Sequence, residues 1–182
     1  MSISDIDKAF ESFKKLIGTL PNLALSESDS RQKIIDPIFK DCLGWDESDI
    51  TREESVHPGF IDYVFRIGNR PIFVLEAKKF GSAFTIPLGL KKRRYKINGS
   101  ISTDKKIKEA IDQAHQYSAE SGTTFAVISN GQQFIVFESF KHGGKWKDGF
   151  CVLFGSFEDI GSNSTFPNIP QRAQQSLAAT NS

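Results

Sequence analysis

The chain carries two cysteines, three histidines and one methionine in 182 residues. Cys42 and Cys151 stand far apart, form no CxxC pair and have no zinc-ligand spacing. A disulfide framework and a cysteine-bound metal are therefore excluded, and both thiols are expected to be buried. Nothing places His57, His115 or His142 in a Ser/His/Asp or Cys/His arrangement for nucleophilic catalysis. No apolar run reaches the ~18 residues of a membrane span, and the N-terminus is polar and helical rather than signal-like. The expected setting is thus the cytoplasm, with no membrane partner. No GxxxxGK[ST] phosphate loop occurs, so the chain carries no recognisable ATP motor. No internal repeat is visible.

What is present begins with an uneven charge. The net charge is only +1, with 25% charged and 38% hydrophobic residues, enough apolar content for one folded domain. From Met1 to Ala77, nine Lys/Arg stand against fourteen Asp/Glu, a balance of −5. From Lys78 to Lys108, ten Lys/Arg stand against one acid, Asp104, a balance of +9. An acidic region followed by a basic block points to a polyanionic partner.

The hydrophobic pattern predicts the elements in order. Ile6, Phe10, Phe13 and Ile17 mark an amphipathic helix over 4–18. Ser26 and Asp29 form a capping box that opens a second helix reaching about Leu43, with Pro37 predicting a local irregularity. Asp49–Val56 is a polar strand suited to a sheet edge. Gly59–Lys79 reads as a hairpin turning at Gly68-Asn69, and its run Ile72–Leu75 suits a strand buried on both faces. Phe80–Gly99 is expected to be a loop or short hairpin. Thr103 or Asp104 starts a third helix that runs to about Glu120. Thr124–Ser129 and Gln133–Phe137 pair across Asn130-Gly131, and Trp146–Phe154 is a final strand. The order αα-βββ-α-ββ(β) predicts an α/β sandwich, three-layered, with a central mixed sheet flanked by helices. A single domain over 1–158, with its core at 26–140, is followed by a flexible linker or tail over 159–182.

The Gly59–Lys79 hairpin concentrates the chemistry. Residues two apart on a strand share a face, so Glu76 and Lys78 point one way and Ala77 the other. Cross-strand pairing can bring Asp62 beside them. Two carboxylates, with the Ala77 carbonyl between them, make an oxygen-rich site for Mg²⁺, with Mn²⁺ able to substitute. Lys78 would orient a water or stabilise charge on a phosphoryl group. The alternative is a strand-end acid beside a surface ion pair of little worth. Gln113 and Tyr117 share a face of the third helix, as Glu27 and Arg31 do of the second. The run Lys91, Lys92, Arg93, Arg94 and Lys96, with Tyr95 inside it, would suit phosphates and one stacked base, and is otherwise a solvated loop.

Five pieces taken in order carry a resemblance: Glu27-Ser-Asp-Ser-Arg31 with Ile35-Asp-Pro and Leu43-Gly-Trp; Gly59-Phe-Ile-Asp62-Tyr; Glu76-Ala-Lys78-Lys79; Gln113-Ala-His-Gln-Tyr117; and Ser129-Asn-Gly131. Over about Glu27–Phe137 the chain resembles the PD-(D/E)xK nuclease superfamily. Within it, it is most similar to the nuclease domain at the N-terminus of type I restriction enzyme R subunits. The resemblance implies a restriction-endonuclease-like αβββαβ core and Mg²⁺-dependent DNA cleavage in restriction or antiviral defence. It implies metal binding by Asp62, Glu76 and the Ala77 carbonyl, a catalytic Lys78, and Glu27 as an acid added from the helix. Gln113 and Tyr117 would lie near the DNA strand, with Lys79 and the 91–96 cluster as further DNA contacts. The partners implied are DNA, a motor or specificity subunit or further domains beyond the tail, and a second copy of the chain. The basic segment Phe80–Gly99 is longer than the family pattern. The alternative function is a catalytically silent nuclease-fold module for DNA docking or assembly.

Overall fold

A computed structural model of the chain describes residues 3–19, 25–57, 59–80, 94–155 and 159. Helix α1 (Ile3–Thr19) matches the predicted span and turns Phe10 and Phe13 into the core. The connector at 20–24 and most of the predicted tail lie outside the described residues.

Ser26 caps helix α2 (Glu27–Ser30): its hydroxyl accepts from the Asp29 N–H at 3.0 Å and donates to Asp29 Oδ2 at 2.8 Å. The helical run continues through two π-helical turns, Arg31–Ile35 and Ile38–Cys42. Pro37 lies between them. It has no N–H to give the carbonyl four residues back, so the local spacing widens. The N–H groups of Asp36 and Leu43 donate to the carbonyls of Arg31 and Ile38, each five residues back.

The described residues form one seven-stranded sheet: β1 (Ile50–Val56), β2 (Gly59–Ile67), β3 (Arg70–Ala77), β4 (Arg94–Lys96), β5 (Phe125–Ser129), β6 (Phe134–Glu138) and β7 (Phe150–Phe154). Their spatial order is β1-β2-β3-β5-β6-β7-β4. Only β3 and β5 pair in parallel, so the sheet is mixed. Parallel neighbours need a crossover, and helix α3 (Lys105–Ser121) supplies it. The Asp104 carboxylate caps α3 by accepting from the Ile107 N–H at 2.9 Å, and Gly122 ends it with φ +66°.

The two faces pack differently. One face joins α1 and the α2 run to an aromatic core of Phe39, Trp45, Phe65, Phe73 and Phe134. Its centre is a Phe65–Phe73 stack at 4.3 Å, with Phe39 4.5 Å from Phe65. The other face packs α3, through Ile107, Ala110, Ile111 and Ala114, onto Val64, Val74, Ala126 and Ile128. The result is helix, sheet, helix: an α/β sandwich. β3 lies between neighbours and under both layers, which explains its apolar run. Cys42 and Cys151 are buried free thiols, pushed up to about 12 and about 11 by loss of solvent.

Two boundaries differ from expectation. The predicted loop or hairpin at Phe80–Gly99 contributes β4, a three-residue edge strand paired with distant β7. Residues 81–93 lie outside the description. The final strand starts at Phe150 rather than Trp146, because Trp146–Asp148 form a 3₁₀ turn closed by the Gly149 N–H on the Trp146 carbonyl.

Candidate active site

The hairpin register places Asp62 beside Glu76. Tyr63 pairs with Leu75, and the regular β2–β3 ladder stops there. The Ala77 N–H donates to Asp62 Oδ2 at 2.8 Å, so a carboxylate replaces the next carbonyl of the ladder. β2 also twists at this point. Ile61 packs on the α3 side and Tyr63 on the aromatic side, although residues two apart should share a face. The β1–β2 pairing skips Asp62 as well, and opposite it stands Glu53 with φ +53°, a conformation that non-glycine residues rarely adopt.

Three chain segments meet at this twist. Arg31, from the helical run, donates to Asp62 Oδ1 at 2.8 Å and to Glu53 Oε1 at 3.1 Å. Lys78 Nζ sits 2.6 Å from Glu76 Oε1 and donates to Gln113 Oε1 at 3.0 Å. Gln113 Nε2 in turn donates to the Tyr117 hydroxyl at 3.2 Å. Below the site, the Lys78 N–H donates to the Ser129 carbonyl at 2.7 Å, and the Gly131 N–H to Ser129 Oγ at 2.9 Å. Gly131 is required by both its φ of +84° and its surroundings: a Cβ there would lie 2.9 Å from the Phe80 ring and 3.3 Å from Ile34.

The electrostatics are asymmetric. Glu76 is 3% exposed, and its Oε2 has no hydrogen-bond partner among the described residues. Loss of solvent raises its carboxyl to about 7, with the neighbouring Asp62 charge adding to the rise and Lys78 opposing it. Asp62 is raised too, chiefly by burial, against the Ala77 N–H and the Arg31 guanidinium. Glu27 is exposed at the first turn of α2, and its charge pushes both carboxyls up.

The structure thus brings together Asp62, Glu76, Ala77, Lys78, Gln113 and Tyr117, with Glu27 within electrostatic reach. Lys79 follows directly and is half-buried. Arg94 and Lys96 do not join them: four strand steps separate β3 from β4, roughly 19 Å at sheet spacing. Arg94 instead lies 4.1 Å over the Phe150 ring. β4 lies at the far edge of the sheet, so closeness along the chain does not bring this pair to the acids. Lys91, Lys92 and Arg93 lie outside the described residues.

Sequence reasoning left Arg31 without a role, although its spacing from Glu27 was visible. Its partner is 31 residues away on another element, and no local pattern encodes that meeting.

The residues fit a hard divalent cation. A buried carboxylate oxygen with no proton donor is costly unless a cation uses it, and Asp62 lies next to it. Ala77 turns its N–H toward Asp62, and in an extended strand its carbonyl opens to the same edge. Among the described residues, no three His, Cys, Asp or Glu side chains gather closely enough to hold a metal on their own. The backbone carbonyl and solvent would therefore have to complete such a site. Compared with family models, curated proteins and solved structures, the chain has no match.

Proposed function

We propose that this chain is a divalent-metal-dependent DNA endonuclease domain of the PD-(D/E)xK type, acting in restriction or antiviral defence. The observation that carries the reading is the buried Glu76 Oε2, without a hydrogen-bond partner among the described residues, beside Asp62 and one atom away from the lysine-bound Oε1. Asp62, Glu76 and the Ala77 carbonyl would hold Mg²⁺, or Mn²⁺ in its place. When bound, such an ion supplies charge for a phosphoryl oxygen and acidifies a water. The chain's own residues do the rest. Lys78 is held by Glu76 and Gln113, with donor capacity left for a phosphoryl oxygen or the attacking water. Tyr117 fixes Gln113, and Gln113 fixes Lys78, so one face of α3 sets the direction of the ammonium. The order of motifs along the chain supports the same reading.

The test is plasmid cleavage in Mg²⁺ or Mn²⁺ by the full chain and by Asp62→Ala, Glu76→Ala and Lys78→Ala. Each substitution is expected to lower the rate at least about 100-fold, the scale of losing a principal electrostatic contact. Cleavage that survives all three sinks the assignment.

One observation favours a second reading, a silent nuclease-fold module for DNA docking or assembly. Arg31 already neutralises Asp62 at Oδ1. Calorimetric titration with Mg²⁺ and Mn²⁺ separates the two. No heat at millimolar metal, with DNA binding intact, selects the module.

A further inference from the structure

The turn that joins β6 to β7 forms a second surface, at the other end of the sheet. The Ser139 N–H donates to the Thr124 carbonyl at 2.8 Å, at the start of β5. The candidate site borders Ser129, at the end of β5, five residues or roughly 16 Å along the strand. From Ser139 to Lys147 the turn reads Ser-Phe-Lys-His-Gly-Gly-Lys-Trp-Lys, with three lysines and no acid.

Its side chains, with His115 of α3, line an open hollow of about 310 Å³, close to the lower bound of small-ligand sites. Trp146 forms one wall and stacks on His115 at 3.9 Å with an 18° interplanar angle. His115 is fixed from its other edge by Ser139 Oγ, 2.8 Å from Nδ1. Lys147 is engaged, 2.7 Å from Asp112 and 5.2 Å over the Trp146 ring. Lys141 and Lys145 are exposed and make no ion pair among the described residues. Phe140 also lines the cavity and is 62% exposed. A large aromatic ring left in water, beside free ammonium groups and a pre-stacked indole, has the composition of a base-stacking and phosphate contact.

We propose that this turn binds one nucleotide unit of a single-stranded nucleic acid, its base on the Phe140 ring against Trp146 and its phosphate between Lys141 and Lys145. The identity of the partner rests on the nuclease reading above; the cavity and its charge do not. The contact lies too far from Asp62 and Glu76 to serve the reacting phosphate, so it would hold a displaced or flanking strand.

Trp146 also provides the test, because the other tryptophan, Trp45, is buried in the aromatic core. The full chain is titrated with fluorescein-labelled (dT)₁₀ at low salt in EDTA, following indole quenching and label anisotropy. Saturable quenching is expected. Phe140→Ala is expected to remove most of it, and Lys141→Gln with Lys145→Gln to weaken binding about 10-fold or more, with unchanged melting temperatures. Absence of quenching, or quenching that survives both variants, overturns the proposal. So does equal competition by dextran sulfate, a polyanion without bases. Quenching without plasmid cleavage upholds this contact and counts against the nuclease; cleavage without quenching does the reverse.

Discussion

Asp62 and Glu76 face each other across one hairpin, yet the protein treats them differently. Asp62 is finished: one oxygen takes the Ala77 N–H and the other takes Arg31. Glu76 is half finished: Lys78 holds one oxygen and nothing described holds the other. Burial alone would push both carboxyls upward, and partners decide how far. Glu76 is raised to about 7. The lesson is that the hairpin holds one acid in place by structure and keeps the other's bonding capacity in reserve.

The hardest test of this contrast is pH. A carboxyl raised from 4.5 to about 7 by folding binds its proton more tightly in the folded chain. Its contribution to stability is fully present below pH 4.5 and is lost as pH rises through 7, amounting to about 3 kcal/mol. Glu76→Gln is therefore expected to flatten the fall in stability between pH 4.5 and 8 in denaturant titrations. A slope unchanged in that variant breaks the contrast. Mg²⁺ is expected to oppose the same fall in the native chain and to leave Glu76→Gln unmoved.

Next comes the finished acid. Arg31→Met removes a partly buried guanidinium and leaves Asp62, among the described residues, with the Ala77 N–H and a nearby Glu53. A loss of about 2 kcal/mol in urea unfolding is expected, below the ~3–5 kcal/mol for breaking a fully buried pair because this one is partly exposed. The same variant sharpens the comparison, since calorimetry should show tighter Mg²⁺ binding once the resident cation is gone. Asp62→Asn should cost about 1 kcal/mol, because the amide keeps an oxygen for one donor while losing charge for the other.

The smallest effect concerns what aims Lys78. Tyr117→Phe removes the acceptor for Gln113 Nε2 and is expected to cost about 0.5–1 kcal/mol of stability. Its cleavage rate should fall more than its melting temperature suggests, if Gln113 directs the ammonium. An equal loss in both would make Tyr117 a packing residue alone.

Much of this arrangement was legible in the chain. Gly68-Asn69 marked the turn, and two-residue periodicity placed Glu76 and Lys78 on one face with Ala77 turned away. The capping box at Ser26 and Asp29 and the Gln113–Tyr117 pair follow equally local rules. What could not be read depends on distance or on competition between elements. Arg31 meets Asp62 only because the helical run packs across β1 and β2. The twist at Asp62 falls opposite the positive-φ Glu53, one strand away. Arg94 and Lys96 follow Glu76 by no more than twenty residues, but a three-residue strand has too little pattern to announce which sheet edge it joins.

The widened turns around Pro37 have a consequence for anyone rebuilding this protein. Arg31 and Asp36 are five residues apart, and both reach the same side: Arg31 to Asp62, and Asp36 to the Tyr63 hydroxyl at 2.8 Å and to Arg52 at 3.2 Å. In a regular α-helix, residues five apart diverge by about 140°. Straightening this stretch, whether by an idealised redesign or by deleting one residue, would leave the composition almost intact and throw one of the two anchors off its target. A graft of the hairpin onto another scaffold must therefore carry the irregular helix with it, surplus residue included.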